Sequence, residues 1–369
     1  MTDQNLATML WNVGDKIRGK EAMSLEVLIQ ACREEGIELT LNTLGLLVKQ
    51  FGRGEAFFPE SVSRFVGGIL KPYSPGSILD PWSGLGFLAI PLGEILGPEK
   101  FDAYCRNAFA KEIWGDLQGA SGISLELGDG LQSMVDSDEK YDAVVCNPPL
   151  NLPLTNPYAV QVEGDEVKVK DTYDKCLMLE ACKNLTPNGR AVFIATMNFF
   201  TSSGGEGKAR HTMARLGYRP TAAIELPAGT FAPAHNLATH LVVVERSEKD
   251  KLFTGRFSQD DKYQQTLLNN LQEGKQGASA ELGRFVDINS FRGFTAIELS
   301  ERSRENAKRI GLVEYPFNEV VEEVNAPGPS KSFTGFDAQE NAVYLPQICL
   351  LYTSPSPRDL STSRMPSSA

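Results

Sequence analysis

The feature that most constrains the fold is a series of seven short apolar runs that alternate with helical stretches from residue 77 onward. Buried strands that alternate with helices are typical of a mostly parallel sheet with helices packed on both faces. The sequence therefore predicts an α/β protein with a doubly wound, seven-stranded, mostly parallel sheet. The predicted strands are 77–80, 101–106, 123–127, 141–146, 190–196, 222–226 and 240–245.

The direction of the last strand follows from the length of its connection. Only the segment LPAGTFAPAHNLAT separates the sixth and seventh apolar runs. This segment is too short for an ordinary crossover helix, so the seventh strand is expected to be antiparallel to its neighbours. An antiparallel seventh strand distinguishes methyltransferase-like sheets from those of dinucleotide dehydrogenases.

Composition along the chain predicts four segments. Residues 1–55 have helical periodicity and form an N-terminal helical domain, and residues 56–247 carry the sheet. Residues 248–348 are more polar, with an amphipathic stretch near 262–272, and are expected to form a less regular appendage. Residues 349–369 are rich in Ser and Pro, and we expect disorder there. This tail resembles translated sequencing-adapter read-through, which predicts a reading frame truncated near Ile348.

Charge and cysteine content bound the class of protein. The formal net charge is −11, which argues against a grip on nucleic acid by the whole surface, so a DNA role needs local cations or a partner. The six cysteines form no CxxC pair and are interpreted as reduced thiols of a cytosolic protein without structural zinc. The N-terminus has no signal-peptide core, and no apolar run reaches the roughly 18–20 residues of a membrane span. We therefore expect a soluble, cytoplasmic protein.

The stretch SILDPWSGLGFLA contains the first candidate site. Asp80 ends a predicted strand, and Gly84 and Gly86 follow it. A G-x-G pair alone is a weak signal, and a plain tight turn is the alternative. A carboxylate four residues before the first glycine would repel a pyrophosphate but suits a cationic ligand. The pattern therefore favours S-adenosylmethionine, with Asp80 at its amino-acid end and the glycines allowing close backbone approach.

A second candidate is Asp129 in ELGDGL, at the end of the third predicted strand. Aspartate favours turns, so a structural role is the alternative. At the end of this strand its carboxylate could accept a hydrogen bond from the adenine amino group of the same cofactor.

A third candidate follows the fourth predicted strand, in the sequence VVCNPPL. Two consecutive prolines end a strand cleanly, so this stretch could serve only to terminate the strand. Strand termination does not require Asn147, however. At the carboxyl end of a central strand, Asn147 would present an amide oxygen beside a carbonyl held rigid by Pro148 and Pro149, at the crevice where open α/β sheets bind ligands.

Taken in order, these motifs carry a family resemblance. Asp-Pro-x-x-Gly-x-Gly, then Gly-Asp, then Asn-Pro-Pro is similar to the amino-methyltransferases, and specifically to the modification subunits of type I restriction systems. The resemblance covers most of residues 8–247. Its other stretches are LWNVGDKIRGK, GEAFFPESVSRFV, LTPNGRAVFIATMNFF and IELPAGTFAPAHNLATHLVVVER.

The resemblance implies an adenine N6-methyltransferase with the class I S-adenosylmethionine-dependent methyltransferase fold. It further implies action on double-stranded DNA as the catalytic subunit of a restriction-modification system, together with a separate specificity subunit and a restriction subunit. In such enzymes the target adenine swings out of the duplex, and we expect its amino group to donate to Asn147 Oδ1 and to the Pro148 carbonyl. Leu150 occupies the base-stacking position, and no metal is implied. The cofactor residues that it implies are Phe58, Pro59, Asp80, Pro81, Gly84, Gly86 and Asp129.

Three positions depart from the family pattern. The residue after Pro-Pro is usually aromatic, but here it is Leu150, and Phe58 replaces a threonine of the pattern GEFYTP. The second strand ends in FDAYCRN without the acid expected for the ribose hydroxyls. Asn107 could serve instead, with Glu112 as the fallback if that strand is longer. Two alternatives therefore remain open: a catalytically impaired scaffold of this fold, and an amino-methyltransferase acting on RNA or on a protein glutamine.

Smaller signals have structural interpretations. His211 and His235 are expected to be surface or loop residues, because no nucleophile accompanies them. A basic run is either a solvated helix face or a phosphate contact. The segment FAPAH is either a tight β-corner or a lip of the base pocket. The basic run comprises Lys208, Arg210, His211, Arg215 and Arg219.

Overall fold

The buried apolar runs form the centre of a nine-stranded sheet in the computed structural model. The structure describes residues 3–17, 24–51, 57–117, 120–154, 156–201, 208–232 and 235–310. The strands are β1 Ser77–Asp80, β2 Lys100–Cys105, β3 Ser124–Leu127, β4 Tyr141–Cys146, β5 Tyr158–Val162, β6 Asp165–Val169, β7 Leu185–Ala195, β8 Tyr218–Leu226, β9 Thr239–Arg246, β10 Lys251–Arg256 and β11 Arg284–Asp287. The main sheet has the order β11-β10-β8-β9-β7-β4-β1-β2-β3.

The predicted sheet is confirmed, and two further strands extend it. All seven predicted strands are present, and β9 pairs antiparallel with both β7 and β8, as expected for the last of them. The pairs β1–β2, β1–β4, β2–β3 and β4–β7 are parallel. Beyond β8 the sheet continues with β10, which is parallel to β8, and then with the antiparallel β11. The region predicted to be less regular thus completes one edge of the sheet.

Twelve α-helices in the described residues surround the strands. Their bounds are α1 Asp3–Ile17, α2 Leu25–Glu34, α3 Leu41–Phe51, α4 Glu60–Leu70, α5 Ala89–Leu96, α6 Ala108–Asp116, α7 Gly130–Val135, α8 Tyr173–Lys183, α9 Asn198–Thr201, α10 Ala209–Arg215, α11 Asp261–Glu273 and α12 Phe294–Arg309. Helices α1–α3 confirm the predicted helical N-terminus, and α11 matches the predicted amphipathic stretch. None of the described helices is long and apolar enough to cross a membrane.

Successive residues of each strand enter two different cores, because side chains alternate between the faces of a sheet. In β1, Ile78 belongs to the buried apolar cluster that includes residues of α3, α4 and α6, whereas Leu79 belongs to a second cluster that includes residues of α8. Val145 and Val144 in β4 divide in the same way. Both faces are therefore covered, as the near-continuous apolar runs require.

This topology places the candidate residues at one edge of the sheet. Because β1–β4 and β7 are mutually parallel, their carboxyl ends lie on the same side. The amino end of the antiparallel β9 lies there too, since His240 pairs with Ala195 at the end of β7. Loops that follow these strands, and the loop before β9, therefore converge.

The domain boundaries stay a prediction. Residues up to Ile310 form one compact unit, which contains the predicted helical and sheet segments and the first part of the predicted appendage. Residues 311–369, including the tail predicted to be disordered, lie outside the described part of the chain.

Candidate active site

A cavity of about 500 Å³ opens at the carboxyl edge of β1, β2 and β4. It brings together six of the predicted site residues, namely Gly84, Asn107, Asn147, Pro148, Pro149 and Leu150. The other lining residues are Trp82, Tyr104, Cys105, Arg106, Ala110, Asn151, His235 and Leu237. The remaining predicted residues, Phe58, Pro59, Asp80, Pro81, Gly86 and Asp129, do not line it.

Asn147 comes directly after the buried β4. Val144, Val145 and Cys146 are at most 1% exposed, so the strand holds the start of the loop in place. Pro148 is buried, whereas Asn147 is half-buried and faces the cavity. Within the described part of the chain, no protein group hydrogen-bonds the Asn147 amide. Its oxygen is therefore free to accept a hydrogen bond from a ligand.

Asp80 is fully buried at the end of β1. Its Oδ1 accepts the Trp82 backbone N–H at 3.1 Å, while Oδ2 has no hydrogen-bond partner among the described residues. Burial raises the pKa of this carboxyl to about 7, against the lesser opposing effect of the Trp82 hydrogen bond. A buried carboxylate oxygen without a partner is costly unless a cation or donor satisfies it.

The glycine turn after β1 has two distinct steric requirements. Gly84 has φ of +51° and faces open space, so its backbone is accessible from the cavity. Gly86 has φ of +86°, and a Cβ there would lie 2.7 Å from Ile90 and 2.9 Å from Trp114. Helix α5 begins three residues after Gly86, at Ala89.

Asp129 caps α7 instead of lining the cavity. Its Oδ1 accepts the Leu131 backbone N–H at 3.0 Å and the Tyr173 hydroxyl at 2.7 Å. Arg106 Nη1 lies 3.7 Å from Oδ2. The following residue, Gly130, packs so closely that a Cβ would overlap the Pro81 carbonyl oxygen. The ends of β1 and β3 are thereby held in contact, a constraint that the sequence analysis missed.

The residue at which β2 ends corrects part of the prediction about the ribose hydroxyls of the cofactor. The strand ends at Cys105, so the longer strand that would have brought in Glu112 is absent, and Glu112 instead pairs with Arg33 at 3.2 Å. Asn107 caps α6, because its Oδ1 accepts the Phe109 N–H at 2.9 Å. Its amide N–H₂ has no hydrogen-bond partner among the described residues and remains for a ligand. Arg106, which the sequence analysis did not select, lines the cavity beside it and lies over the Trp82 ring at 5.6 Å.

Phe58 and Pro59 line a different cavity, of about 520 Å³, between α3, α4 and α5. Phe58 is only 3% exposed, and its ring packs against Phe231 at a centroid distance of 5.4 Å. Phe231 in turn contacts the His235 ring at 5.2 Å. The two cavities are therefore connected by a row of three rings.

His235 lies in a loop, as predicted, but it also lines the cavity that contains Asn147. Leu237 from the same loop lines it too and is 54% exposed. The position of His235 agrees with the lip interpretation of FAPAH, whereas Pro233 and Ala234 lie outside the described residues. The sequence signal was the short connection between β8 and β9, both ends of which lie at the carboxyl edge of the sheet.

The basic run has partners for most of its cations. Arg215 pairs with Glu163 at 2.9 Å and Arg219 lies 3.7 Å from Asp250. Lys208 and Arg210 donate to the backbone carbonyls of Lys170 and Phe200. These contacts favour the structural interpretation of the run over phosphate binding.

The sheet has the class I S-adenosylmethionine-dependent methyltransferase fold that the sequence predicts. The chain belongs to the N-6 DNA Methylase family, whose model matches residues 47–282, more than half of its length. The predicted family is therefore confirmed. No curated protein matches the chain in sequence.

Solved structures show the same fold at low identity. A type I restriction-modification methyltransferase subunit from Streptococcus thermophilus is 15% identical, with a TM-score of 0.54, over 75% of this chain and 66% of that one. A type I modification subunit from Vibrio vulnificus is 16% identical, with a TM-score of 0.51, over 74% and 63%. A class I S-adenosylmethionine-dependent methyltransferase from Listeria monocytogenes is 14% identical, with a TM-score of 0.53, over 73% and 98%. The chain thus spans less than two thirds of the two restriction-system subunits.

Proposed function

We propose that this chain transfers a methyl group from S-adenosylmethionine to the N6 amino group of adenine in DNA, as the catalytic subunit of a restriction-modification system. The observation that carries the proposal is the position of Asn147 and Pro148. They share one cavity with Gly84 and with the ends of β1 and β2, in a chain of the N-6 DNA Methylase family.

The residues at the end of β1 fit the proposed cofactor. The unpartnered Oδ2 of Asp80 suits the ammonium group of its amino-acid end, and Gly84 leaves space for close backbone approach. Asp129 Oδ2 lies near Arg106 and keeps acceptor capacity for an adenine amino group. We propose that Pro81 and Gly86 shape this turn, and that Phe58 and Pro59 form the wall of the cofactor site behind it.

The catalytic contribution of the chain is the placement of two acceptors. S-adenosylmethionine supplies an electrophilic sulfonium methyl group. The amino nitrogen of adenine is a poor nucleophile because its lone pair is delocalised into the ring. Asn147 Oδ1 and the Pro148 carbonyl each accept one N–H from that amino group, which favours a tetrahedral nitrogen with its lone pair directed at the methyl group. Most of the acceleration then comes from positioning and oriented dipoles.

A catalytically impaired scaffold is the second candidate, since two observations favour it. Leu150 replaces the aromatic residue of the family pattern, and among the described residues no Asp or Glu lines the cavity where a ribose-binding acid is expected. A substrate other than DNA is not favoured, because the matching family is one of DNA methylases.

We also infer that DNA contact depends on partner subunits. The chain carries a net charge of −11, and its basic run is largely engaged within the protein. The two neighbours above are subunits of type I restriction systems. A separate specificity subunit, and a restriction subunit in the complete system, would supply the missing DNA contacts.

The test is methyl transfer from labelled S-adenosylmethionine to unmodified bacterial DNA, with and without the cognate specificity subunit. The expected product is N6-methyladenine in DNA, formed only in the presence of both subunits. Binding of S-adenosylmethionine without transfer to DNA would support the scaffold. Label in RNA or protein but not in DNA would contradict the proposed substrate.

A further inference from the structure

We infer that His235 supplies the stacking surface for the extruded adenine, in place of the aromatic residue that Leu150 replaces. The inference rests on the proposed function and names one residue of its base pocket. It requires that the His235 ring lies on the base side of the cavity, that the ring is fixed, and that the other rings are engaged elsewhere.

The cavity has two halves, which follow from the order of the strands. Gly84, Arg106 and Asn107 follow β1 and β2, and they line the half assigned to the cofactor. Asn147–Leu150 follow β4, on the other side of β1. His235 precedes β9, which lies two strands beyond β4 in the same direction, and still reaches the same cavity. His235 and Leu150 therefore belong to the half that contains the two amino-group acceptors.

One face of the His235 imidazole ring packs against the protein. Its ring packs on Phe231 at 5.2 Å with an interplanar angle of 37°, and Phe231 is itself 1% exposed. Nδ1 accepts the Leu237 backbone N–H at 3.3 Å, so the neutral ring carries its proton on Nε2. Burial lowers the pKa of His235, which favours this uncharged form. The ring is thus an oriented, neutral π surface at the cavity wall.

Two other rings line the cavity within the described residues, and both lie in the cofactor half. Trp82 follows β1, with the Arg106 guanidinium over its ring at 5.6 Å and Tyr173 against its edge at 5.4 Å. Tyr104 is part of β2. On the base side, Leu150 and Leu237 are aliphatic. Among the described residues, His235 is the ring that remains in the half of the cavity that contains Asn147, and a base could stack on it there.

Stacking of a base on an aromatic ring does not depend on the identity of the base, because every base has a π face. The Asn147 amide and the Pro148 carbonyl would select the amino group, while His235 would hold the plane of the base. Loss of the ring should then weaken capture of an extruded adenine without changing cofactor binding.

The experiment uses the full chain with its cognate specificity subunit, saturated with S-adenosylhomocysteine, and a DNA duplex that carries the recognition site with 2-aminopurine in place of the target adenine, opposite an abasic site. This probe removes most of the cost of extrusion, so that binding reports the pocket. His235→Ala should bind the probe roughly 5- to 100-fold more weakly, the range that loss of a base-stacking ring costs. His235→Phe should bind as tightly as the wild type. His211→Ala, on α10 and outside the cavity, is the matched control and should not change binding.

A rescue variant separates stacking from structural support. If His235 replaces the missing ring at position 150, Leu150→Tyr should restore probe binding in the His235→Ala background. Cofactor affinity, measured by calorimetry, should be equal in all these variants and shows that each is folded. Equal probe binding by wild type and His235→Ala would overturn the inference and leave methyl transfer intact, and so would failure of both His235→Phe and the rescue variant. A wild-type chain that, with the specificity subunit supplied, neither binds the probe nor methylates DNA would overturn the proposed function and this inference together.

Discussion

The Tyr173 hydroxyl donates a hydrogen bond to Asp129 Oδ1 at 2.7 Å and thereby links α8 to the end of β3. Tyr173 is only 3% exposed. Burial, with the neighbouring carboxylate, raises the pKa of Tyr173 far above its usual range, so the hydroxyl stays a donor. The bond fixes the carboxylate that caps α7 and that we assign to the adenine end of the cofactor.

Replacing Tyr173 by Phe should therefore have two effects. The free energy of unfolding should fall by about 1–3 kcal/mol, as for loss of a hydrogen bond to a charged group. The affinity for S-adenosylmethionine should fall as well, because the Asp129 carboxylate loses one of the contacts that orient it and keeps only those to the start of α7 and to Arg106. Tyr263→Phe is the matched control, since Tyr263 donates to Glu281 at 2.9 Å, away from the cavity. It should lose similar stability in denaturant unfolding and keep full cofactor affinity in calorimetry. Equal cofactor affinity in both variants would separate Tyr173 from the site.

Gly130 is the point at which the fold leaves no room for a side chain. An added Cβ would overlap the Pro81 carbonyl oxygen, which is backbone and cannot rotate away. Gly130→Ala should cost about 3 kcal/mol of unfolding free energy or more, at the upper end of overpacking. Gly115 in α6 has nothing within 4 Å of its Cβ position. Gly115→Ala should therefore raise stability by up to about 1 kcal/mol in the same measurement. A tolerated Gly130→Ala would mean that β1 and β3 can separate.

The central sheet could be predicted because its signal is local. Each of the seven runs is a short apolar segment bounded by turn residues, and burial on both faces makes such runs continuous. The antiparallel β9 was also predictable, since the length of the connection before it excludes a crossover helix. Asn147 and Gly84 could be placed at one edge, because the carboxyl ends of parallel strands meet there.

Other features depended on contacts distant in sequence. No local pattern near His235 indicates that it lines the same cavity as Asn147, and none near Tyr173 indicates its bond to Asp129. Asn107 was assigned to the ribose, yet its oxygen caps α6, because an amide at a strand end can serve either role. The β5–β6 hairpin was missed although its signal is local. Its strands alternate in burial around a two-residue turn, Glu163 and Gly164, with φ of +55° and +93°.

Asp80 should reduce the stability of the protein at neutral pH. Burial raises its pKa from an ordinary 3.8 to about 7, so the folded state holds the proton more tightly than the unfolded chain does. The protonated carboxyl therefore gives a stability that is fully present below pH 4 and is lost as the pH rises through 7. Asp80→Asn keeps a neutral acceptor for the Trp82 N–H. At pH 8 it should be more stable than the wild type by up to about 4 kcal/mol, and at pH 4 the two should be equal. Denaturant unfolding at both pH values measures the difference, and a less stable variant at pH 8 would contradict it.

The same carboxylate should make cofactor affinity depend on pH. Only ionised Asp80 attracts the ammonium group of S-adenosylmethionine, so the affinity of the wild type should weaken as the pH falls below about 7. Asp80→Asn should bind more weakly at pH 8 and show little change between pH 8 and pH 6. Calorimetry at the two pH values distinguishes these cases. Identical affinities for wild type and variant at pH 8 would remove Asp80 from the cofactor site.

Asn147 is predicted to act on the rate of transfer and not on cofactor binding. Its amide has no protein partner within the described residues and lies beside the buried Pro148, so its removal leaves the fold unchanged. If the oxygen orients the amino group only as the methyl group transfers, Asn147→Ala should lower turnover by about two decades or more, with cofactor affinity little changed. Asn269→Ala, on the exposed side of α11, is the control and should keep full turnover. The measurement is transfer of labelled methyl to DNA, with the specificity subunit supplied. Full turnover by Asn147→Ala would mean that the Asn-Pro-Pro segment only ends β4. The Asn147 side-chain oxygen, the acceptor that a simple strand end does not need, would then contribute nothing to methyl transfer.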